Sequence, residues 1–197
     1  MRLFVALDLD DAIRERINLF VEGIRSFAAD ARWISPESMH VTLKFIGEQP
    51  EATVEPIKHA LASIRHDAPI VHFRGYGFFP TAKSARVFWA GIEAGPELET
   101  LATSIDAITG TLGIPAEHRP YSPHLTLARS RGGSGSPRRH SDDGPNRVFQ
   151  RLQEKLTALP APAFGTMTPR GFFLYRSQLS PKGSTYTKLA RFPLKYS

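Results

Sequence analysis

The chain carries one short motif twice, and this repeat constrains its fold more than any other feature of the sequence. His40-Val41-Thr42-Leu43 recurs 84 residues later as His124-Leu125-Thr126-Leu127. The same spacing aligns the N-terminal run 2–6 with residues 86–90 without a gap. Because the apolar pattern between these points keeps the register as well, the sequence predicts a duplicated fold whose halves are related by a pseudo-two-fold axis.

Hydrophobic periodicity predicts the elements of each half, which span approximately residues 2–83 and 86–177. In the first half we expect strands over residues 3–7, 40–46 and 70–79, and helices over residues 13–24 and 54–64. In the second part we expect strands over residues 86–92, 121–129, 172–177 and 186–194, and helices over residues 98–112 and 148–156. No glycine-rich turn joins a strand to a helix, so α+β with antiparallel sheets is favoured over a Rossmann fold.

Residues 130–147 differ from the rest of the chain. They contain four Gly, four Ser, two Pro and four Arg, and no large apolar side chain. Such a segment has nothing to bury, so we expect a flexible surface loop that accounts for the extra length of the second half.

The composition narrows the functional classes. The chain has no cysteine, which excludes a disulfide scaffold, a thiolate zinc site and a cysteine nucleophile. Lys and Arg number 25 against 19 Asp and Glu, and the formal net charge of +6 suits a polyanion such as RNA or a phosphorylated metabolite. The apolar run 3–7 is too short for a signal peptide or a membrane span, so we expect a cytoplasmic protein without a membrane partner.

The motifs place polar side chains together because residues i and i+2 of a strand share a face, roughly 6.5–7 Å apart. His40 therefore projects with Thr42, and His124 projects with Thr126. If the halves meet across the pseudo-two-fold axis, two imidazoles and two hydroxyls line one cleft.

This set of groups suits phosphodiester chemistry. An unperturbed imidazole titrates near pH 6.5, so one ring can be neutral while the other is protonated, and the two can remove and deliver a proton. The threonine hydroxyls can donate to phosphate oxygens, and Arg129, at the exit of the second motif strand, can supply positive charge.

Acid–base chemistry explains the repeated motif better than a purely structural repeat or a metal site does. A single His-x-Thr pair is more often structural than functional, but a chance double match of this kind has a frequency on the order of 10⁻³ or less. A repeat kept for packing would also preserve only the apolar positions. A metal site needs three or four ligands, and Glu37 is the only carboxylate within four residues of either motif histidine, so we expect no metal.

With these residues the sequence resembles the two-histidine phosphoesterases, specifically the bacterial and archaeal RNA 2′,3′-cyclic phosphodiesterases, which are often named 2′-5′ RNA ligases. The resemblance covers almost the whole chain. It rests on the segments RLFVA (2–6), WISPE (33–37), HVTLKFIG (40–47), GYGFFP (75–80), RVFW (86–89), YSPHLTLAR (121–129), LYRS (174–177) and GSTY (183–186).

The resemblance implies a single bilobal α+β domain over residues 1–197, in which antiparallel sheets line a central cleft and helices lie outside. It implies hydrolysis of an RNA-terminal 2′,3′-cyclic phosphate to a 2′-phosphate without a metal or a cofactor. By the same resemblance, the site residues are His40 as proton donor to the 3′-oxygen, His124 as proton acceptor from water, Thr42 and Thr126 on phosphate oxygens, and Arg129 against the phosphate.

The expected partner is RNA with a 2′,3′-cyclic phosphate end, such as a tRNA fragment, or a nucleotide cyclic phosphate, and the expected state is a monomer. Two alternatives stay open. One is another substrate for the same chemistry, namely a 2′-5′ linkage that is ligated or cleaved, or a small nucleotide cyclic phosphate. The other is a non-catalytic RNA-binding module, although a pure binder has no need of both imidazoles.

Overall fold

The computed structural model describes residues 1–131, 147–181 and 183–196. Most of the expected loop, residues 132–146, therefore lies outside the described residues. The strands are β1 (Arg2–Asp8), β2 (Arg32–Trp33), β3 (His40–Glu48), β4 (Val71–Phe79), β5 (Val87–Ala94), β6 (His124–Arg129), β7 (Ala163–Met167), β8 (Gly171–Ser180) and β9 (Gly183–Pro193). The α-helices are α1 (Asp11–Ile24), α2 (Val54–Ala62), α3 (Pro96–Gly110) and α4 (Gln150–Thr157). None of the described helices is long and apolar enough to cross a membrane.

The strands form two antiparallel sheets, which confirms the α+β prediction. One sheet has the order β3-β1-β8-β9 and the other the order β2-β6-β5-β4-β7. Each motif strand therefore lies beside a central strand, β3 beside β1 and β6 beside β5. The helices pack outside, with α3 against α2 and β3, and α1 against β7.

The last strand of each half of the repeat belongs to the sheet of the other half. β4 pairs with β5, and β8 pairs with β1, so each sheet contains strands from both halves. This exchange carries Phe79 from the first half to the second motif and Tyr175 from the second half to the first motif.

β1 is buried on both of its faces. Its five central residues are at most 3% exposed. Leu3, Val5 and Leu7 pack in the main core with the apolar stripe of α1, whereas Phe4 and Ala6 belong to a second cluster on the opposite face. Removing one aliphatic side chain of this kind from water stabilises a fold by about 1.5–3 kcal/mol, so the main core fixes the strand that supports the second cluster.

Two strands and the start of a third differ most from the sequence prediction. β2 has two residues, which is too short for a periodic signal. In β7 the two buried side chains, Phe164 and Met167, lie three residues apart, and Gly165 has a φ of 111°. The strand therefore lacks the alternation of buried and exposed residues that would predict it. The strand expected over 121–129 begins at His124. Ser130, the first residue of the expected loop, is buried and its N–H donates to the Arg86 carbonyl at 2.8 Å.

Candidate active site

The two motif histidines occupy equivalent positions at the start of two strands. His40 is the first residue of β3 and His124 the first residue of β6, and these strands contact each other where the two sheets meet. The Tyr121 hydroxyl donates to the Thr42 carbonyl at 2.9 Å and joins the two motif segments directly. The structure therefore brings both motifs to one cleft between the sheets.

Each imidazole is held by the backbone carbonyl two residues before it. Nδ1 of His40 lies 2.8 Å from the Ser38 oxygen, and Nδ1 of His124 lies 2.9 Å from the Ser122 oxygen. Because a carbonyl only accepts hydrogen bonds, Nδ1 carries the hydrogen in both rings. Nε2 is then the atom through which each ring can exchange a proton with a ligand.

Aromatic rings surround His40 on the first sheet. The ring of Phe4 lies 4.7 Å from the imidazole, that of Tyr186 lies 5.0 Å away edge-on, and that of Tyr175 lies 6.0 Å away. Phe4 and Tyr175 stack on each other at 5.0 Å. This packing restricts the rotation of the imidazole and excludes water from one side of it.

His124 has a similar environment on the second sheet. The Phe79 ring meets it edge-on at 5.1 Å, and the Trp89 ring lies 6.5 Å away. Trp89 fits only because residue 77 is a glycine, since a Cβ built there would lie 2.0 Å from the indole. The two histidines thus face the cleft from matching aromatic walls.

A β-bulge changes the face on which side chains lie at the end of the first motif strand. The pairing of β3 with β1 skips Leu43, the residue after Thr42. An extra residue reverses the alternation of side chains beyond it. Phe45, an odd number of residues after His40, consequently shares the face of His40, and its ring lies 6.3 Å from that of Phe4.

The second motif strand has the same bulge at the equivalent position. The pairing of β6 with β5 skips Leu127, the residue after Thr126. Arg129 is thereby turned towards the cleft, where its positive charge acts on both imidazoles. Arg129 and Phe45 are thus equivalent positions of the repeat, one charged and one aromatic.

The surroundings of both imidazoles favour their neutral forms. Burial lowers the pKa of His40 to about 4, and the charge of Arg129 adds to the decrease, although the Ser38 carbonyl and Asp8 oppose it. Burial and Arg129 also lower the pKa of His124. Burial therefore disfavours the protonated ring that the sequence-based interpretation assigns near neutrality, whereas a bound anion would favour protonation.

Asp8, which the sequence analysis did not single out, lies opposite His40 across β1 and β3. It accepts hydrogen bonds from Arg14, at 2.6 Å, and from Lys188. Burial raises the pKa of Asp8, but these two cations outweigh burial and hold it below its usual value. The sequence feature that could have identified Asp8 is its position as an acidic residue directly after the buried strand 3–7.

Arg129 belongs to a group of arginines at the cleft. Burial lowers the pKa of its guanidinium, Tyr186 opposes this effect, and the neighbouring charges of Arg2 and Arg32 add to it. Within residues 1–131, 147–181 and 183–196, no carboxylate forms an ion pair with Arg2, Arg32 or Arg129. Guanidinium groups without a carboxylate partner provide a site for phosphate oxygens.

Thr42 and Thr126 lie two residues past their histidines and are partly buried. No bulge intervenes between each histidine and its threonine, so the pairs share a face as expected. Among the described residues, no three His, Asp or Glu side chains form a group that could hold a metal ion.

Comparisons with known proteins identify relatives that match over the whole chain. A family model described as LigT like Phosphoesterase matches residues 7–89 and 92–186. The chain is 31% identical over 196 residues to an RNA 2′,3′-cyclic phosphodiesterase of Methanothermobacter thermautotrophicus, covering 98% of this chain and 99% of the relative. It is also 31% identical over 192 residues to a protein of the same name from Archaeoglobus fulgidus, with 98% and 99% covered.

Solved structures share the fold. The crystal structure of TT0787 of Thermus thermophilus superposes with a TM-score of 0.73 at 31% identity, covering 98% of this chain and 97% of that one. E. coli LigT complexed with 3′-AMP superposes with a TM-score of 0.74 at 24% identity, with 98% and 97% covered.

Proposed function

The chain belongs to the LigT-like phosphoesterase family, and we propose from this that it hydrolyses the 2′,3′-cyclic phosphate at the end of an RNA to a 2′-phosphate. One observation carries the proposal. Two imidazoles, one from each sheet, are fixed through Nδ1 with Nε2 left for proton transfer, and a shared arginine lies near both. Because one chain supplies all of these groups, we propose that the monomer is active.

The proposed reaction is a displacement at phosphorus. Nε2 of His124 takes a proton from water as the water oxygen bonds to phosphorus, and Nε2 of His40 gives a proton to the 3′-oxygen as its bond to phosphorus breaks. The product is a 2′-phosphate next to a free 3′-hydroxyl. This division of roles follows the family resemblance, and the positions of the imidazoles in opposite sheets support it, since attack and departure occur on opposite sides of phosphorus.

Three further groups would hold the phosphate. The hydroxyls of Thr42 and Thr126 would donate to its non-bridging oxygens, and Arg129 would balance the charge that builds up as the water attacks. Asp8 would favour the protonated form of the nearby His40, since its negative charge raises the pKa of that ring.

The test is incubation of the purified protein, with EDTA present, with an RNA oligonucleotide ending in a 2′,3′-cyclic phosphate. The product is compared with 2′-phosphate and 3′-phosphate standards by chromatography and mass spectrometry. We expect the 2′-phosphate alone. Formation of a 2′-5′ linked product when a 5′-hydroxyl RNA is added would indicate ligation instead, and binding without turnover would indicate an RNA-binding module.

The protonation of His40 should depend on the ligand. Its pKa is about 4 in the free protein, so the proton donor is almost entirely deprotonated at pH 7 until a phosphate binds. A phosphate charge beside Nε2 favours the imidazolium and should raise this pKa by about 2–3, which protonates a functional fraction of the ring near neutral pH. NMR titration of the histidine rings with and without an RNA dinucleotide 2′-phosphate measures the change, and an unaltered His40 titration would contradict the proposed role.

Phe45 should bind a base of the substrate. Its side chain is 62% exposed. Its ring neighbours that of Phe4, which in turn contacts the imidazole of His40. Base–aromatic stacking contributes about 1–3 kcal/mol per base, so Phe45→Ala should raise KM by roughly tenfold and leave kcat nearly unchanged. Leu19→Ala, at a similarly exposed position on α1, is the control. An unchanged KM for Phe45→Ala would show that the ring does not contact the substrate.

A further inference from the structure

A basic cavity of about 400 Å³ lies beside the active cleft. Three arginines, Arg25, Arg32 and Arg131, line it together with Trp33. We propose that this cavity binds a phosphodiester of the RNA chain upstream of the terminal cyclic phosphate. The proposal rests on the proposed function for the identity of the substrate, and it adds a second phosphate site outside the catalytic centre.

Arg32 lines the cavity and is also the cross-strand neighbour of the cleft residue Arg129. Arg32 of β2 pairs directly with Arg129 of β6, and their charges act on each other. A Cβ built on Gly183, at the start of β9, would lie 3.4 Å from the Arg32 guanidinium, so this side chain extends from one sheet to the other. Arg131, two residues after Arg129, lines the cavity together with Arg32.

This arrangement is electrostatically unfavourable without an anion. Like charges directly opposite each other on paired strands destabilise a sheet, and Arg32 and Arg129 are such a pair. In the described part of the chain, neither Arg32 nor Arg131 forms an ion pair with a carboxylate. An anion that contacts several guanidinium groups removes this repulsion.

Arg25 has a partner that a phosphate can displace. It binds Glu22 at 3.1 Å, and both side chains are about half exposed, at 50% and 55%. Exposed ion pairs of this kind contribute about 0–1 kcal/mol, so exchange of Glu22 for a phosphodiester costs little. Guanidinium groups bind phosphate oxygens through two parallel hydrogen bonds, which lysines cannot do.

Trp33 adds an apolar wall to the cavity. Its indole N–H donates to the Ala28 carbonyl at 3.0 Å, and its ring packs edge-on against Phe88 at 6.0 Å, so it is fixed before any ligand arrives. A cavity that combines cations with a fixed aromatic ring is typical of sites for single-stranded nucleic acid. Because the catalytic cleft holds the terminal phosphate, the nearest further anion is the next phosphate of the same chain.

The experiment compares Arg25→Gln/Arg131→Gln with a control that removes two positive charges elsewhere, Lys58→Gln/Arg65→Gln. Lys58 pairs with Glu55 on α2, and Arg65 lines a different cavity that includes residues of α3. Both variants are first shown to melt within a few degrees of the wild type. The readouts are kcat/KM on a 2′,3′-cyclic mononucleotide and on a trinucleotide with the same end, and the affinity for a fluorescent trinucleotide 2′-phosphate.

We expect the ratio of kcat/KM on the trinucleotide to that on the mononucleotide to fall at least tenfold in the arginine variant and to stay unchanged in the control. The salt dependence of trinucleotide binding should become shallower by about 0.7 in log–log slope, the value for the loss of one phosphate contact on a single strand. Equal effects in the two variants, or no loss of trinucleotide affinity, would overturn the proposal. The affinity is measured without turnover, so failure of hydrolysis in the wild type would refute the proposed function and leave this comparison intact.

Discussion

Replacing either His40 or His124 with alanine is expected to lower kcat by at least about 10², because each imidazole moves one proton in the same displacement. The double variant should lose less than the product of the two single losses, since both groups act on one step. Steady-state kinetics on an RNA with a 2′,3′-cyclic phosphate end provides the measurement. Asparagine variants are matched controls for local structure, because an amide can still donate to the Ser38 or Ser122 carbonyl but cannot replace Nε2.

A substrate with sulfur in place of the 3′-oxygen separates the two roles. A thiolate is a better leaving group and needs little protonation, so this substrate should restore activity to His40→Ala far more than to His124→Ala. Equal recovery in both variants would contradict the assigned roles, and recovery in His124→Ala alone would reverse them.

Replacing Arg129 with glutamine should lower kcat by about 10²–10³, the usual loss when a group that stabilises charge in the transition state is removed. A second effect distinguishes this residue from a structural one. The charge of Arg129 lowers the pKa of both imidazoles, so its removal should raise both values in an NMR titration. The limb of the kcat/KM profile that reports protonation of the base should then lie at higher pH.

Arg129→Lys is the matched control for the charge. It should leave the two imidazole titrations close to those of the wild type but recover only part of kcat, because a lysine does not bind phosphate through a planar fork. A kcat for Arg129→Gln within about threefold of the wild type would show that Arg129 does not contact the reacting phosphate.

The repeat and its strand pattern were sufficient to predict which motif side chains lie together. A polar pair spaced two apart on each of two strands can only share a face, so the pairing of His40 with Thr42 and of His124 with Thr126 follows from the sequence. The apolar positions that precede the first motif also predicted the buried faces of α1 and β1. These are local properties, since they depend on the residue periodicity of a single strand or helix and on nothing distant along the chain.

The face on which Arg129 lies required the tertiary structure. Arg129 is five residues after His124, and simple alternation would place the two side chains on opposite faces. The bulge at Leu127 reverses this, and the bulge at Leu43 does the same for Phe45. A bulge is decided by the pairing of one strand with its neighbour, which no periodicity within the strand records.

The protonation state of the histidines depends on residues distant in sequence. The same is true of the aromatic side chains that surround them. Phe79 and Tyr175 reach the histidines only because β4 and β8 cross into the opposite sheets. The pKa of His40 falls to about 4 because those sheets bury the ring and bring Arg129 near it. The sequence by itself therefore determined which side chains could do the chemistry, whereas burial and charge, which arise only when distant segments pack, decided their protonation.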